Sequence, residues 1–317
     1  MSKKHTATAF APASIGNLGV GFDMLGLAIS GAGDQVDAIR VEGDGISVTE
    51  VRGLDGEIHP YLSTVAEENT ASIAAAAFWR EHGDVGGVDL VVRKGVPLQS
   101  GMGSSAASAV AAVVAVNALL ESPLEPKDLL LFAIEGEKFA SKGLHADNVA
   151  PSLLGGMVLC PSSLLPDTVS VNLPDGISSV LLHPELQINT AHSRRGLARG
   201  YSLEQWVTQQ GYLGGFIAAC EHNDVDLMAS CLKDIIIEPQ RSASVPCFEG
   251  VKTFAMTNGA IGCSLSGSGP SIFALCHQRD AAKIAIGMEQ ACRNYGYVCQ
   301  SWVSSLDAPG AHVEYSE

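Results

Sequence analysis

A chain of 317 residues is longer than one hydrophobic core usually supports, since single cores stop growing at roughly 250 to 300 residues, so two lobes are expected. With 46% apolar and only 17% charged residues, and 34 glycines spread over several clusters, the composition excludes a disordered or fibrous chain and favours an α/β enzyme. A formal charge of −15 excludes a long-range field that would draw the protein to nucleic acid or an anionic membrane, so any anionic ligand has to be held locally, by backbone N–H groups, a helix N-terminus, a few Lys or Arg side chains and a metal ion.

The chain starts Met1-Ser2-Lys3-Lys4-His5 and runs into alternating Ala and Thr, with no apolar signal segment, which predicts a cytoplasmic protein. Its 8 cysteines are scattered without a C-x-x-C pair, and no two histidines stand at i, i+4, so reduced thiols are expected rather than a disulfide frame or a metal centre. Residues 6–11 alternate as a strand, and Pro12 then opens a loop, 13–23, in which Gly16, Gly19 and Gly21 demand a tight bend. Residues 36–51 read as strands joined at Gly43-Asp44-Gly45. Asn69 caps a helix over 70–82 that Gly83 ends.

Residues 88–93 form a strand that feeds 94–105, followed by an uncharged Ala/Val helix to about Leu120. That helix would reach roughly 25 Å, short of a ~30 Å hydrocarbon core, so it is read as a buried helix of a soluble protein. Pro126 starts a helix that continues to about Lys142, and Gly155-Gly156 turns into a strand over 157–160. The Ser- and Pro-rich stretch 161–174 is the expected boundary, giving lobes of 1–160 and 161–317. Beyond it the pattern predicts strands near Val180 and Ile188, helices over 203–221 and 225–233, a hairpin of 261–265 with 272–276 around Ser266-Gly267-Ser268-Gly269-Pro270, a helix over 281–294 and a strand over 299–303.

Gly101-x-Gly103-Ser104-Ser105, lying between a strand and an apolar helix, has the parts of a phosphate-binding loop: glycines that admit positive φ, free N–H groups at a helix start, and hydroxyls. A serine-capped helix after a glycine turn is the other reading of the same residues. It is not a Walker A loop, because the chain has no Gly-Lys dipeptide. A formal G-x-G-x-x-A match through Gly101, Gly103 and Ala106 lacks its acidic partner, since Glu121 falls past the helix end. Together with the loops at 13–23 and 266–270, this makes three glycine-rich turns that would converge on one polyanion.

Glu135 and Glu137 interrupt an apolar helix in which Leu130, Ile134 and Glu137 share a face. A carboxylate on such a stripe needs a partner, for which Mg²⁺ is one candidate and a solvated helix end the alternative. His145, Asp147 and Asn148 crowd just after that helix, as a site or as a cap and Asx turn. Arg194, Arg195, Arg199 and Arg241 stand out in an acidic lobe, either as bidentate partners of a carboxylate or as surface ion pairs.

Taken in order, residues 12–23, the block Pro97-x-x-x-Gly101-Met102-Gly103-Ser104-Ser105-Ala106-Ala107, and residues 265–271 resemble the three signature motifs of the GHMP kinases. Met102 stands where leucine is commoner, and Ile15-Gly16 replace a small polar residue and alanine. His145-x-Asp147-Asn148-Val149-Ala150-Pro151 with Gly155-Gly156, Thr190-x-x-x-Arg194, and Glu238-Pro239-x-Arg241 resemble the homoserine kinase branch, with Leu197-Ala198 where that branch often has Leu-Pro.

The resemblance implies an α+β, two-lobe GHMP kinase architecture, with an N-terminal ribosomal-protein-S5-like lobe and a C-terminal ferredoxin-like lobe. It implies ATP as co-substrate with Mg²⁺, phosphorylation of the side-chain hydroxyl of L-homoserine for threonine synthesis, and no dedicated catalytic base. On the nucleotide side it places Lys94, Pro97, Leu98, Gln99 and Ser100 with the stretch Gly101 to Ala107, and Asn69. Ser105 and Glu137 would hold the metal. The amino-acid pocket would comprise Asn17, Asp23, His145, Asn148, Thr190, Arg194 and Arg241, with Asp23 on the substrate ammonium, the two arginines on its carboxylate and Asn148 orienting its hydroxyl. A homodimer stands as the expectation for assembly. The alternatives are another GHMP kinase acting on mevalonate, a sugar or a diphosphocytidyl alcohol, and a catalytically silent ligand-binding relative.

Overall fold

A helix built from alanine, valine and serine and buried on every side has to lie at the centre of a lobe. In the computed structural model, which describes residues 4–141, 143–198 and 200–317, residues 104–118 are that helix. The expected helix end at Lys142, and Arg199, lie outside the described residues.

In chain order the elements are β1 (Thr6–Gly16), β2 (Leu25–Val41), β3 (Ile46–Arg52), α1 (Thr70–His82), β4 (Gly87–Arg93), α2 (Ser104–Ala118), α3 (Leu130–Ser141), α4 (Val149–Leu154), β5 (Met157–Leu159) and β6 (Val169–Val171). There follow β7 (Ile177–Pro184), α5 (Thr190–Arg195), α6 (Leu203–Glu221), α7 (Val225–Cys231), α8 (Glu238–Arg241), α9 (Phe248–Thr257), β8 (Ala260–Leu265), β9 (Ile272–His277), α10 (Ala281–Arg293), β10 (Cys299–Ser305) and β11 (His312–Ser316).

The first sheet runs β11-β1-β2-β4-β3, with β5 added to β2 and β6 to β5. Its inward residues, such as Ala9, Val36, Ala38 and Leu90, share one core with Phe78 of α1, most of the apolar residues of α2, and Ala133 and Ile134 of α3. The second sheet runs β10-β7-β9-β8, antiparallel throughout. Numbered within its own lobe, that order is fourth, first, third, second, with helices after the first and third strands, which is the ferredoxin-like plan expected.

Alternation along β7 and β9 gives this second sheet two apolar faces. Val180, Leu182, Ile272 and Ala274 pack on α9 and α10. Leu181, Phe273 and Leu275 point the other way, into a core with Ile15, Leu25, Leu27, Met102 and Phe216. The lobes therefore share a core made partly of the residues that flank the glycine loops, and that shared core sets the loops' relative positions.

Several expectations need correction. β1 does not stop at Pro12 but continues to Gly16, because a register shift between Pro12 and Ser14 lets the strand keep its pairing with β2. The strands flanking Gly43-Asp44-Gly45 are not neighbours: β3 pairs in parallel with β4, which lies between it and β2. Ile188 is in no strand; its N–H donates to Gln99 O at 3.1 Å, a single tie to the glycine loop where a ladder was expected. The first sheet also takes in β6 and β11, both from beyond the expected 160/161 boundary. Helix α9 and strand β11 were not expected at all.

Candidate active site

Three glycine turns meet between the lobes, and hydrogen bonds tie each to the others. Gly267 N–H donates to Gly16 O at 3.0 Å, Ser14 N–H to Met102 O at 3.0 Å, Ser271 N–H to Ser100 O at 3.1 Å, and Ser266 Oγ to Gly101 O at 2.6 Å. The packing leaves no room for a side chain at Gly101, where a Cβ would come within 2.4 Å of Ser266 O, on a residue whose φ is +76°. Gly103, at φ +69°, supplies the left-handed turn that starts α2, and a Cβ there would meet Ser14 Oγ at 2.5 Å and Asn148 Oδ1 at 3.0 Å. Around this junction lies a cleft of about 390 Å³, the size of a small-molecule site.

On the loop side, most of the expected nucleotide residues face the cleft: Leu98, Gln99, Ser100, Gly101, Gly103, Ser104 and Ser105. Met102, Ala106 and Ala107 do not; all three are fully buried and pack the cores beneath the loop. Pro97 lines a neighbouring hollow with His183 and Glu185. Asn69 reaches the cleft, but its amide is committed to local structure: Oδ1 accepts from Ala71 N–H at 2.9 Å as the cap of α1, and Nδ2 donates to Ser63 O at 2.9 Å.

Lys94 also lines the cleft, but its ammonium is engaged within the fold. Its ammonium has three donors, and the fold uses them on Asp34, on Ser104 O at 2.8 Å and on Ser108 Oγ at 2.7 Å. Asp34 is fully buried and also accepts from the backbone N–H groups of Gly95 and Val96, at 2.8 and 3.1 Å, and from Ser108 Oγ at 2.6 Å. The lysine therefore fixes the strand-to-loop junction and the first turn of α2, and it has no donor left over for a phosphate. Asp34 shares the inward face of β2 with Val36 and Ala38, so its position two and four residues before them was the signal available in the sequence.

Ser105 and Glu137 are brought together as expected: Ser105 Oγ donates to Glu137 Oε2 at 2.6 Å. Burial pushes the Glu137 carboxyl up to about 7, against the hydrogen bonds of Ser105 and Ser141. Glu135 points away into solvent and pairs with Lys138 at 2.6 Å. One carboxylate beside one hydroxyl is too little to cage an ion, and among the described residues no three His, Cys, Asp or Glu side chains gather as a metal centre. It does fit Mg²⁺, which takes one or two carboxylates and completes its shell with water and substrate phosphates.

Across the cleft, Asp23, His145, Asn148, Thr190, Arg194 and Arg241 all line the same wall. Arg194 chelates Asp23, with Nη1 to Oδ2 at 2.9 Å and Nη2 to Oδ1 at 2.5 Å. His145 Nδ1 stands 3.5 Å from Asp23 Oδ2, and burial above all lowers its pKa. Arg241 is almost wholly buried and donates through Nη1 to Gly267 O at 2.9 Å. The Nε of Arg194 and the Nε of Arg241 are both buried with no partner. Thr190 Oγ1 lies 3.2 Å from Ser268 Oγ, and Ser14 Oγ donates to Asn148 Oδ1 at 3.0 Å. Arg195 is exposed and takes no part.

Asn17 acts mainly as scaffold: its Nδ2 donates to Gly267 O at 3.1 Å and its Oδ1 accepts from Asp23 N–H at 3.0 Å, so it fastens the first loop to the third. Phe22 escaped sequence reasoning as a site member, and Asp147 stood there only as a site-or-cap alternative. Asp147 lines the cleft, and burial, assisted by the charges of Asp23 and Glu137, pushes its carboxyl up to about 7. Phe22 lies under both arginines.

The GHMP kinases N terminal domain matches residues 69–156, and the GHMP kinases C terminal domain matches residues 216–294. The chain is 39% identical over 310 residues to a homoserine kinase of Xylella fastidiosa, spanning 98% of this chain and 94% of that relative. It is also 39% identical over 321 residues to a homoserine kinase of Chlorobium phaeobacteroides, spanning 97% and 99%. The crystal structure of homoserine kinase from Cytophaga hutchinsonii is similar over 99% of this chain and 98% of that one, with a TM-score of 0.93 and 39% identity.

Proposed function

The chain belongs to the homoserine kinase family of the GHMP kinases, and from that membership we infer how its cleft divides the work of phosphoryl transfer. The reaction is ATP-dependent phosphorylation of the side-chain hydroxyl of L-homoserine to O-phospho-L-homoserine, a step of threonine biosynthesis. Phosphoryl transfer through a loose transition state is mostly alignment and charge stabilisation. The chain's residues accordingly bind and orient more than they react.

The free N–H groups at the start of α2, behind Gly101 and Gly103, receive the ATP phosphates, and the left-handed glycines keep that approach open. Asp34 and Lys94 hold this loop in shape from beneath. The apolar lining of Val51, Leu62, Val92 and Leu98 suits the flat face of the base. Ser105 and Glu137 would hold Mg²⁺, which when bound neutralises charge on the phosphate oxygens.

The observation that carries the amino-acid assignment is that Arg194 and Arg241, each with a buried Nε–H that has no partner, line the same cleft as Asp23. Buried donors without acceptors cost stability unless a ligand meets them. A zwitterion answers both charges: its carboxylate goes to the arginines and its ammonium to Asp23. That exchange frees Arg194 from Asp23, so the pocket's own ion pair stands in for the substrate's charges until homoserine arrives. Asn148, held by Ser14, orients the hydroxyl, with His145 and Thr190 completing the wall.

A cytoplasmic location and a homodimeric assembly belong to the same proposal. The 8 free cysteines support the first, and sedimentation would test the second. The decisive experiment is ATP turnover against homoserine, serine, threonine and mevalonate. Strong preference for homoserine is expected, and an equal or greater rate with mevalonate would overturn the zwitterion pocket.

A further inference from the structure

Two guanidinium groups in one pocket repel each other, and among the described residues only one of them is paired with a carboxylate. Arg194 is chelated by Asp23, whereas Arg241 has a backbone carbonyl, Gly267 O at 2.9 Å. What they share is an aromatic ring. Arg194 Cζ lies 5.3 Å and Arg241 Cζ 5.2 Å from the centroid of Phe22.

We propose that Phe22 is a positioning and specificity-determining residue, a common aromatic platform that holds Arg194 and Arg241 together so that both can meet the substrate carboxylate. The proposal rests on the carboxylate clamp inferred above and names the residue that assembles it. The negative face of an aromatic ring attracts a cation within ~6 Å, more strongly as water is excluded. Arg241 is 4% exposed, so its interaction with the ring is largely desolvated.

An aromatic platform suits this place better than an acid would. A second carboxylate would chelate Arg241 as Asp23 chelates Arg194 and compete with the substrate. A ring attracts the guanidinium without occupying its N–H edge, and the buried Nε of each arginine does stay unpartnered. The local backbone makes the arrangement possible. Asp23 is held in the left-handed region at φ 60°, a conformation Asp tolerates; its carboxylate pairs with Arg194, while the ring of the preceding Phe22 lies against both arginines.

The test uses steady-state kinetics of the full chain carrying Phe22→Leu, Phe22→Met or Phe22→Tyr, with homoserine and with 3-aminopropan-1-ol, which lacks the carboxylate. Leu and Met fill the space without a ring; Tyr keeps it. The half-saturating homoserine concentration should rise roughly tenfold in the Leu and Met variants, about 1.4 kcal/mol, and the preference over the amino alcohol should shrink by the same factor. Tyr should restore both, and half-saturation by ATP should not move. A purely structural role predicts a lower unfolding temperature with homoserine and ATP affected alike, and that outcome overturns the proposal. Arg194→Leu and Arg241→Leu serve as references. If they lose the carboxylate preference while Phe22→Leu and Phe22→Met keep it, the platform is refuted and the clamp stands. If the arginine variants keep it too, the clamp falls and the platform with it.

Discussion

At the phosphate loop, Asp34 accepts from Lys94, Ser108 and the backbone of Gly95 and Val96, and Lys94 donates onward to Ser104 O, so each charge is matched inside the fold. Across the same cleft, Arg194 and Arg241 each keep a buried Nε–H without an acceptor, and Asp23 is occupied by Arg194. The first region is built before any ligand arrives, and the second is left to be completed by one. On the proposed assignment, the difference follows from what each recognises. A polyphosphate is met by backbone N–H groups whose positions the fold can fix in advance, whereas a zwitterion brings both of the charges that the pocket lacks.

The largest expected effect is at Glu137, one of the acids that line the cleft between these regions. Glu137→Gln should lower kcat by about 10³-fold, the upper range for removing a group that stabilises transition-state charge, while circular dichroism shows an unchanged fold. Retention of more than a tenth of the activity at saturating Mg²⁺ would remove Glu137 from the metal site.

Lys94→Met probes the prebuilt side. It leaves Asp34 charged, buried and short of its cation, a loss of about 3 to 5 kcal/mol of folding stability, readable as a shift in the urea midpoint. The Asp34→Asn, Lys94→Met double variant should recover much of that loss, since it removes the charge that was stranded. If Lys94→Met instead keeps the midpoint and loses only ATP affinity, the lysine is a phosphate ligand after all.

Arg241→Leu and Arg194→Leu probe the unfinished side. Truncating one partner of a buried charge pair costs about 2 to 5 kcal/mol of interaction, and here that cost should fall on homoserine half-saturation alone. Loss of ATP affinity with the homoserine dependence intact would assign these arginines to the nucleotide.

The two regions also differ in how far the sequence disclosed them. Glycine spacing and the capped helices located the loop, α1 and α2, because turns, caps and helical periodicity are local properties. Ser105 and Glu137, in contact at 2.6 Å, were paired by the family resemblance, since residue type and helix face alone left Glu137 open to a solvated helix end. The internal partners of Lys94 were not legible because Asp34 lies 60 positions away on another strand. For the same reason a charge read along the chain gave no hint that Asp23 and Arg194, 171 positions apart, neutralise each other. The sheet order failed at β3 and the unexpected β11 for that cause as well, since pairing partners are chosen by packing across the lobe.

Titration separates the regions more gently. Burial holds Glu137 and Asp147 protonated up to about 7 in the ligand-free protein, while unfolded carboxyls ionise near ~4. The native state thus binds more protons between these values. Its stability from this source is complete below the unfolded pKa and is lost as pH rises through about 7. His183, pushed down to about 4 by burial, works in the opposite sense as pH rises toward the ordinary histidine value. The difference between proteins is therefore the readout: from pH 5 to 8, Glu137→Gln and Asp147→Asn should each lose less thermal stability than the parent. Identical slopes in all three would show that these carboxyls ionise normally.

The smallest effect belongs to Glu135, and it tests whether position or residue type carries the assignment of Glu137. Both glutamates sit on α3 within one turn, yet Glu135 is exposed and paired with Lys138 in an i, i+3 contact, while Glu137 is buried against Ser105. An exposed pair of that kind contributes about 0.3 to 0.5 kcal/mol and is screened by salt. Glu135→Gln should accordingly shift the urea midpoint slightly at low ionic strength and not at all near ~0.5 M salt, roughly three times the concentration at which the Debye length is ~8 Å. Turnover and Mg²⁺ dependence should match the parent. A raised Mg²⁺ requirement in Glu135→Gln would mean that the helix presents its other face to the phosphates, and the division between a prebuilt loop and an unfinished pocket would have to be redrawn with Glu137 as a structural acid.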